Sequence, residues 1–374
     1  MDPSSNTAAH VAHVVGHLTA PVLNILLSTF RAIDTCGTST TQVLIMVDDE
    51  FYRETQHKIP SHVEVIRVPE QHSHIGLLKT IYWALYSLIE RGPLDQLHLH
   101  GVIPCLAAVQ TFRQMAYRPE HVILNPHGSR MVSRFGMPRA MLWRFLKEGL
   151  GTFQLHTTAS SSHPKYGDAS ADGVISPAFF DAHPARSERP LVVSGSYQLS
   201  SRAVDEFIRI AVLLGDERLG IDFGWLGPIN FHIREKFKAA NIVPLEETEA
   251  HDDKRAHHFA RAWVYVDTTQ RDMFPIRLAE AMAAGLPCVV LDSRANRDLV
   301  EEGCTGYRCS DVIGLMARTA ALIDKEPLRV SLGAAARERA RTRFSEAAFI
   351  GHLWLDSILI EPKVPPLVMS MSKI

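Results

Sequence analysis

The chain has 374 residues, of which 46% are hydrophobic and 21% are charged, and its formal net charge at pH 7 is −2. This length is typical of two domains, and this composition is typical of a soluble globular protein. Because the net charge is close to zero, the chain has no overall basic field, and no nucleic-acid partner is implied.

The cysteines and the N-terminus bear on the compartment. The five cysteines are scattered and form no CxxC pair, which argues against zinc and favours a reduced, cytoplasmic protein. The first ten residues, MDPSSNTAAH, lack the basic start and apolar core of a signal peptide. No apolar run reaches the length that spans a membrane. We therefore expect a cytoplasmic location.

The first half of the chain alternates predicted strands and helices. Apolar runs predict strands at 11–18, 42–47, 63–68, 97–100 and 121–124. Apolar residues at helical spacing predict helices at 21–33, 77–89 and 102–112. This alternation predicts one doubly wound α/β domain. His98 and His100 alternate on one predicted strand, where a structural role is favoured over a site.

The segment 130–147 mixes five cations with large apolar residues. Such a basic amphipathic segment can lie on an anionic membrane surface. It can equally be a helix that packs on the core while its arginines extend to water. The sequence favours neither prediction over the other.

A second alternation of strands and helices follows a polar linker. The stretch DAHPARSERP at 181–190 has the composition of a linker, so we place a domain boundary there. Strands are predicted at 191–194, 221–226, 243–245, 262–266 and 286–291. Helices are predicted at 203–214 and 231–240. This half therefore predicts a second parallel α/β domain.

One stretch, TTQRDMFPIRLAEAMAAGLPCVVLD at 268–292, carries most of the chemistry. It predicts a loop, a helix that begins near Pro275, and a strand, and an apolar strand precedes it. The loop and the helix start then lie at the carboxyl edge of a parallel sheet, where such proteins bind ligands. A helix start favours a phosphate, and Arg277 adds a positive charge. Asp272 and Glu280 can accept hydrogen bonds from sugar hydroxyls.

This stretch resembles the donor-binding motif of retaining GT-B glycosyltransferases of the family-4 type, the glycosyl transferases group 1. The resemblance rests on two acids eight positions apart and on the string EAMAAG followed by Pro287, Val289 and Val290. It implies two Rossmann-like doubly wound domains that face each other across a cleft. Residues 1–185 would form the acceptor-side domain and 186–348 the nucleotide-sugar-binding domain, and 349–374 would form a helix that crosses back and a tail.

The resemblance also implies roles for single residues. Glu280 would hold the ribose of a nucleotide, and replacing Glu280 by Ala is predicted to remove most nucleotide affinity while the fold stays intact. His127 and Asp272 would lie at the reacting centre. The remaining donor contacts would come from Arg202, Arg277, Phe274, Ile276, Gly16 and Gly195.

The resemblance implies an enzyme that moves a sugar from a UDP- or GDP-sugar to an acceptor hydroxyl with retention of configuration. It implies no cofactor and no metal, and its acceptor would be a glycan or a lipid-linked glycan of cell-surface polysaccharide synthesis. Three departures favour an alternative, a sugar-nucleotide-binding or scaffold subunit with little catalysis. Asp272 stands where the family has Glu, Pro275 stands where it has Gly, and no Arg follows Gly195.

Overall fold

A computed structural model describes the residues that define the two sheets of the protein. The described ranges are 9–35, 40–125, 139–151, 154–155, 174–182, 184–196, 200–217, 220–245, 251–269 and 275–349. They form two six-stranded sheets, and every strand pairing is parallel. The predicted α/β fold with two doubly wound sheets is confirmed.

The first sheet has the order β3-β2-β1-β4-β5-β6. Its strands are β1 (Ala9–Val15), β2 (Thr40–Asp48), β3 (Glu64–Pro69), β4 (Gln96–His100), β5 (His121–Asn125) and β6 (Gln154–Leu155). The helices of this half are α1 (Ala20–Thr35), α2 (Glu50–Thr55), α3 (His74–Arg91), α4 (Val102–Met115) and α5 (Arg139–Leu150). Helices cover both faces of this sheet, and apolar clusters are buried on each side of it, as is usual for a parallel sheet.

The second sheet has the order β12-β11-β10-β7-β8-β9. A short helix, α6 (Pro177–Asp181), precedes it. Its strands are β7 (Leu191–Gly195), β8 (Asp222–Leu226), β9 (Ile242–Pro244), β10 (Val264–Asp267), β11 (Cys288–Leu291) and β12 (Gly306–Cys309). Its helices are α7 (Ser201–Glu217), α8 (Phe231–Ala239), α9 (Asp252–Arg261), α10 (Ile276–Ala283), α11 (Arg294–Leu299), α12 (Val312–Asp324) and α13 (Glu326–Phe344). Numbered from its own first strand, it repeats the order of the first sheet.

Two helices depart from the sequence prediction. Helix α2 was not predicted; Asp49 caps it, and the Asp49 side chain accepts a hydrogen bond from the Tyr52 amide at 2.8 Å. Helix α9 was not predicted, because its segment is largely polar and shows little apolar periodicity. Tertiary packing supports α9, since Ala256 and Phe259 are buried.

The end of the described chain returns to the first sheet. The Ile175 amide donates to the carbonyl of Phe344 at 2.9 Å. Glu346 forms an ion pair with Arg31 of α1 at 2.6 Å, and Phe349 is buried in a cluster with Val11 of β1. The rest of the predicted crossing segment, 350–374, lies outside the described residues.

Candidate functional site

Two glycines bring the loops after β7 and β8 together at the carboxyl edge of the second sheet. A Cβ at Gly195 would lie 2.3 Å from the carbonyl oxygen of Leu226, so no other residue fits there without a shift. A Cβ at Gly227 would lie 2.2 Å from the carbonyl oxygen of Ser196, and Gly227 also has a φ of +149°. The backbone therefore approaches closely at the place where a doubly wound sheet binds ligands.

A cavity of about 790 Å³ opens beside these loops. Its walls come from the ends of β8 and β9 and from α8 and α9. They are formed by Gly227, Pro228, Ile229, Arg234, Pro244, Leu245, Asp253, Lys254, His257 and His258. The lining combines apolar residues with charged residues and histidines, so the cavity can contact both the apolar and the polar parts of a small molecule. Burial, followed by the nearby His257 and Arg261, lowers the pKa of His258, so this imidazole is neutral at pH 7 and can donate or accept.

Glu280 lies at the centre of a buried ionic network rather than in solvent. It is 3% exposed. Its Oε2 is 2.7 Å from Nη1 of Arg277, and its Oε1 is 3.3 Å from Nη2 of Arg255. Arg255, on α9, is fully buried and also forms an ion pair with Asp252. The network therefore joins α9, which lines the cavity, to α10.

This burial changes what we expect of Glu280. Removing one partner of a buried ion pair leaves an uncompensated charge, which is strongly destabilising. The burial of Glu280, Arg255 and Arg277 therefore argues that Glu280→Ala destabilises the protein, and the expectation that its fold stays intact stays a prediction. Ribose binding by Glu280 stays a prediction, because a carboxylate has about four lone-pair positions and can accept further hydrogen bonds.

Two other predicted donor contacts on α10 are also buried. Arg277 is 4% exposed and donates a hydrogen bond to Glu280. To contact a diphosphate, its guanidinium would have to bind Glu280 and the phosphate at the same time. Ile276 is 8% exposed and packs in the core of the second sheet, which leaves mainly its backbone for a ligand. Asp272 and Phe274 lie outside the described residues.

Arg202 is the predicted phosphate contact that lies in solvent. It sits in the first turn of α7, and 73% of its side chain is exposed. Its Nε is 3.0 Å from Oε1 of Glu206. Thr268, just after β10, donates its hydroxyl to the carbonyl of Ala203 at 2.7 Å. This bond ties the start of α7 to the loop that carries the motif.

The predicted residues of the first sheet are placed differently. Gly16 follows β1, and a Cβ there would lie 2.9 Å from Cδ of Pro104 at the start of α4. Its amide donates to the carbonyl of His100 at 3.4 Å. Gly16 is therefore needed for packing against α4, and its predicted donor contact stays a prediction. His127, two residues beyond β5, lies outside the described residues.

Helix α5 is the described part of the basic segment 130–147. Leu142 and Leu146 are buried in the core of the first sheet. Arg144 is 83% exposed and pairs with Glu148 at 2.8 Å, and Met141 is 59% exposed. These residues show the core-packing side of the segment and leave its outer side in solvent. Within the described ranges, no helix is long and apolar enough to cross a membrane.

Sequence reasoning missed Arg255 and most of the cavity. The spacing Asp252–Arg255 is a readable signal, because residues three apart face each other on a helix. The contact of Arg255 with Glu280 spans 25 residues of sequence and depends on how α9 and α10 pack. The group His13, His98 and His100 in the first sheet could hold a metal and was also missed as a group.

Comparisons with known proteins agree with this architecture. The family described as glycosyl transferases group 1 matches residues 234–339. A comparison with curated proteins finds no significant match.

Solved structures with the same fold cover nearly the whole chain. Sucrose-phosphate synthase (tll1590) from Thermosynechococcus elongatus is 13% identical, with a TM-score of 0.71, over 94% of this chain and 99% of that one. A glycosyltransferase from Rickettsia africae ESF-5 is 11% identical, with a TM-score of 0.72, over 94% and 98%. Anabaena Alr3699/HepE in complex with UDP and glucose is 12% identical, with a TM-score of 0.67, over 92% and 98%. The protein therefore has the GT-B fold of these structures, and its residues 234–339 match the glycosyl transferases group 1.

Proposed function

We propose that the protein is a retaining glycosyltransferase that moves a sugar from a nucleoside-diphosphate sugar to an acceptor hydroxyl. One observation carries the proposal. The stretch that matches the glycosyl transferases group 1, 234–339, supplies most of the cavity wall and the whole of α10 with Glu280. The family match therefore covers the part of the chain that forms the cavity and the helix that we propose bind the nucleotide.

The donor would lie along the carboxyl edge of the second sheet. In the cavity beside Gly227, Ile229 and Leu245 offer apolar surface for a base, and Lys254 and His258 offer polar contacts. Glu280, reached through the network with Arg255, would accept from a ribose hydroxyl. The diphosphate would meet Arg202 and the first amides of α10. We propose UDP before GDP, because the similar Anabaena structure contains UDP.

The reaction follows from where the leaving group is held. The acceptor oxygen attacks the anomeric carbon from the side on which the nucleoside diphosphate departs. A phosphate oxygen of the departing group takes the acceptor proton, so configuration is retained and no protein base is required. Arg202 and the helix start stabilise the negative charge on the diphosphate. His127 and Asp272 would position the transferred sugar.

The test is a panel of UDP- and GDP-sugars, with release of the free nucleotide followed over time. Slow hydrolysis of one donor but not the others supports the enzyme. A matched pair of variants locates the site: Lys254→Glu in the cavity wall should weaken nucleotide binding, whereas Lys238→Glu, exposed on α8, should not. Equal nucleotide binding by both variants, measured by calorimetry, would remove the cavity from the proposal.

The alternative is a sugar-nucleotide-binding or scaffold subunit. The pairing of Arg277 with Glu280 favours it, because a predicted phosphate contact is engaged inside the protein. Binding of a donor without turnover, even with acceptor extracts present, would favour this alternative over the enzyme.

We further propose that the acceptor is a glycan or lipid-linked glycan of cell-surface polysaccharide synthesis and that the protein works in the cytoplasm at the inner face of the membrane. The cations of 130–147 would bind anionic headgroups, each worth about 1 kcal/mol near the surface. Wild-type protein should sediment with anionic vesicles at low salt, and replacing Arg134, Arg139 and Arg144 by Glu should abolish this without loss of nucleotide binding. Failure of the wild type to sediment would favour a soluble acceptor.

A further inference from the structure

Three buried histidines meet at the centre of the first sheet. His13 lies on β1, and His98 and His100 lie on β4; they are 0%, 3% and 3% exposed. Strands β1 and β4 are the middle pair in the order β3-β2-β1-β4-β5-β6. The sheet changes its winding direction between them, so the histidines lie at its topological switch point.

The pairing register places all three side chains on one face. His13 is the direct neighbour of His98 across the β1–β4 pairing. His98 and His100 are two residues apart on one strand, so their side chains extend to the same side of the sheet. The ring centroids of His13 and His98 are 4.4 Å apart, and those of His13 and His100 are 6.2 Å apart. The three rings therefore form one cluster.

The nitrogen atoms of this cluster are close enough to share an ion. One ring nitrogen from each histidine can be chosen so that all three lie within 4.8 Å of one another. An ion at the centre of such a triangle lies within about 2.8 Å of each nitrogen, against about 2.0–2.1 Å for a zinc–histidine bond. Small side-chain rotations would close that difference.

The ring nitrogens of His13 lie in surroundings that offer them no hydrogen bond among the described residues. Both ring nitrogens of His13 are buried, and neither has a hydrogen-bond partner among the described residues. A buried polar atom without a hydrogen-bond partner is destabilising. The ring of Phe30 on α1 packs edge-on against His13, with centroids 5.0 Å apart. A fully buried imidazole therefore has an apolar neighbour and two histidines, and metal coordination would satisfy one of its nitrogens.

We propose that His13, His98 and His100 bind one Zn²⁺ ion. Imidazole nitrogen suits zinc and similar transition metals, whereas magnesium and calcium prefer oxygen ligands. No carboxylate belongs to this cluster in the described part of the chain. Zinc with three protein ligands leaves a fourth position for water.

The ion would have a structural role. His13 and His98 are 85 residues apart in sequence, so a shared ion links two strands that the chain brings together only on folding. Because a metal site seldom exists in the unfolded chain, binding stabilises the folded state. The ion takes no part in the proposed sugar transfer. The metal proposal is therefore tested independently of the proposed enzyme activity.

The first test uses the whole wild-type protein. It is stripped with a chelator, given Zn²⁺ or Co²⁺, desalted, and analysed for bound metal. We expect one equivalent per chain, a higher Tm with zinc than without, and for cobalt the visible absorption bands of a low-coordinate nitrogen site. Retention of no metal after desalting, or cobalt bands of the hydrated ion only, would overturn the proposal without any variant.

The second test separates this cluster from surface histidines. His98→Gln and His13→Gln should each lower zinc affinity by more than about 100-fold, since even an outer partner of a metal ligand is worth about 10- to 100-fold. His10→Gln, an exposed histidine on the same strand β1, is the matched control and should bind zinc like the wild type. Circular dichroism establishes which variants are folded. Equal zinc affinity of folded His98→Gln and of the control would overturn the proposal.

Discussion

The two sheets share one strand order, but the first buries imidazoles on its middle strands whereas the second has ion pairs buried between two of its helices. In the first sheet, β1 and β4 bury three histidines, and neither nitrogen of His13 has a hydrogen-bond partner among the described residues. In the second, α9 and α10 bury two arginines that pair with Glu280 and, for Arg255, with Asp252. The same topology therefore supports one centre built from imidazoles and another built from compensated charges.

The two halves should therefore differ in how strongly their stability depends on single buried polar groups. A buried charge without a partner costs several kcal/mol, so the second sheet depends on the completeness of its ion pairs. A buried neutral imidazole costs less to leave without a hydrogen bond, so the first sheet is less sensitive to the loss of a single polar partner. The matched stretch 234–339 coincides with the charged centre, which places the sensitive half at the proposed donor site.

The largest expected effect comes from breaking the charged centre. Glu280→Ala leaves Arg255 and Arg277 buried without their shared carboxylate, which should lower the free energy of unfolding by about 3–5 kcal/mol. Urea unfolding of the two proteins measures this difference. The control is Glu338→Ala, whose partner Arg341 is on the surface; both side chains are more than half exposed. That change should cost less than about 1 kcal/mol. Equal losses would show that the network is not what stabilises this half.

Glycine substitutions compare the two sheets directly. A Cβ at Gly195 would meet the backbone oxygen of Leu226 at 2.3 Å, whereas one at Gly16 would meet a side-chain carbon of Pro104 at 2.9 Å. Gly195→Ala should therefore be the more destabilising, by about 1–3 kcal/mol or more, and Gly16→Ala the less. Gly215→Ala is the control: it lies in α7 with open space around it and should stabilise by about 0.5–1 kcal/mol. Thermal unfolding gives the order of the three.

A smaller effect on stability and a larger one on affinity are expected at Arg202. The Arg202 side chain of its ion pair with Glu206 lies in solvent, so Arg202→Ala should change the free energy of unfolding by about 1 kcal/mol or less. If Arg202 contacts the diphosphate, nucleotide affinity should fall by about tenfold or more, the worth of a hydrogen bond to a charged group. Arg341→Ala, far along α13, should change neither. Calorimetry with UDP that shows no difference between the two variants would contradict the role of Arg202.

The smallest expected effect is the pH dependence contributed by His258. Burial, followed by the nearby His257 and Arg261, lowers the pKa of His258 in the folded state below its ordinary value of about 6.5. Below about pH 6.5 the unfolded chain therefore binds a proton that the folded chain does not, and stability falls as the pH falls. His258→Gln should make the loss of stability between about pH 7.5 and pH 5 less steep. His232→Gln, exposed on α8, should leave the slope unchanged, and the two slopes come from urea unfolding at several pH values.

Much of the fold could be predicted because it depends on local patterns. The buried strands β2, β5, β7 and β11 are apolar runs that sequence reasoning located to within a few residues. The strand–helix alternation fixed the fold class, and the motif around Glu280 indicated the sheet edge where a ligand site would lie. These features depend on residues that are close together in the sequence, so the sequence alone was enough to predict them.

The centres of the two sheets were decided by the tertiary structure alone. Arg255 lies in a polar segment that predicted no helix, and only the packing of α9 against α10 places its guanidinium on Glu280. His13 and His98 meet because β1 pairs with β4 in the sheet. The residues that flank each of them in sequence do not predict this contact. Contacts between distant residues depend on the strand order and register of the whole sheet. For this reason the strands, the helices and the sheet edge of the ligand site could be predicted from the sequence. Which buried polar groups contact each other depends on the tertiary structure.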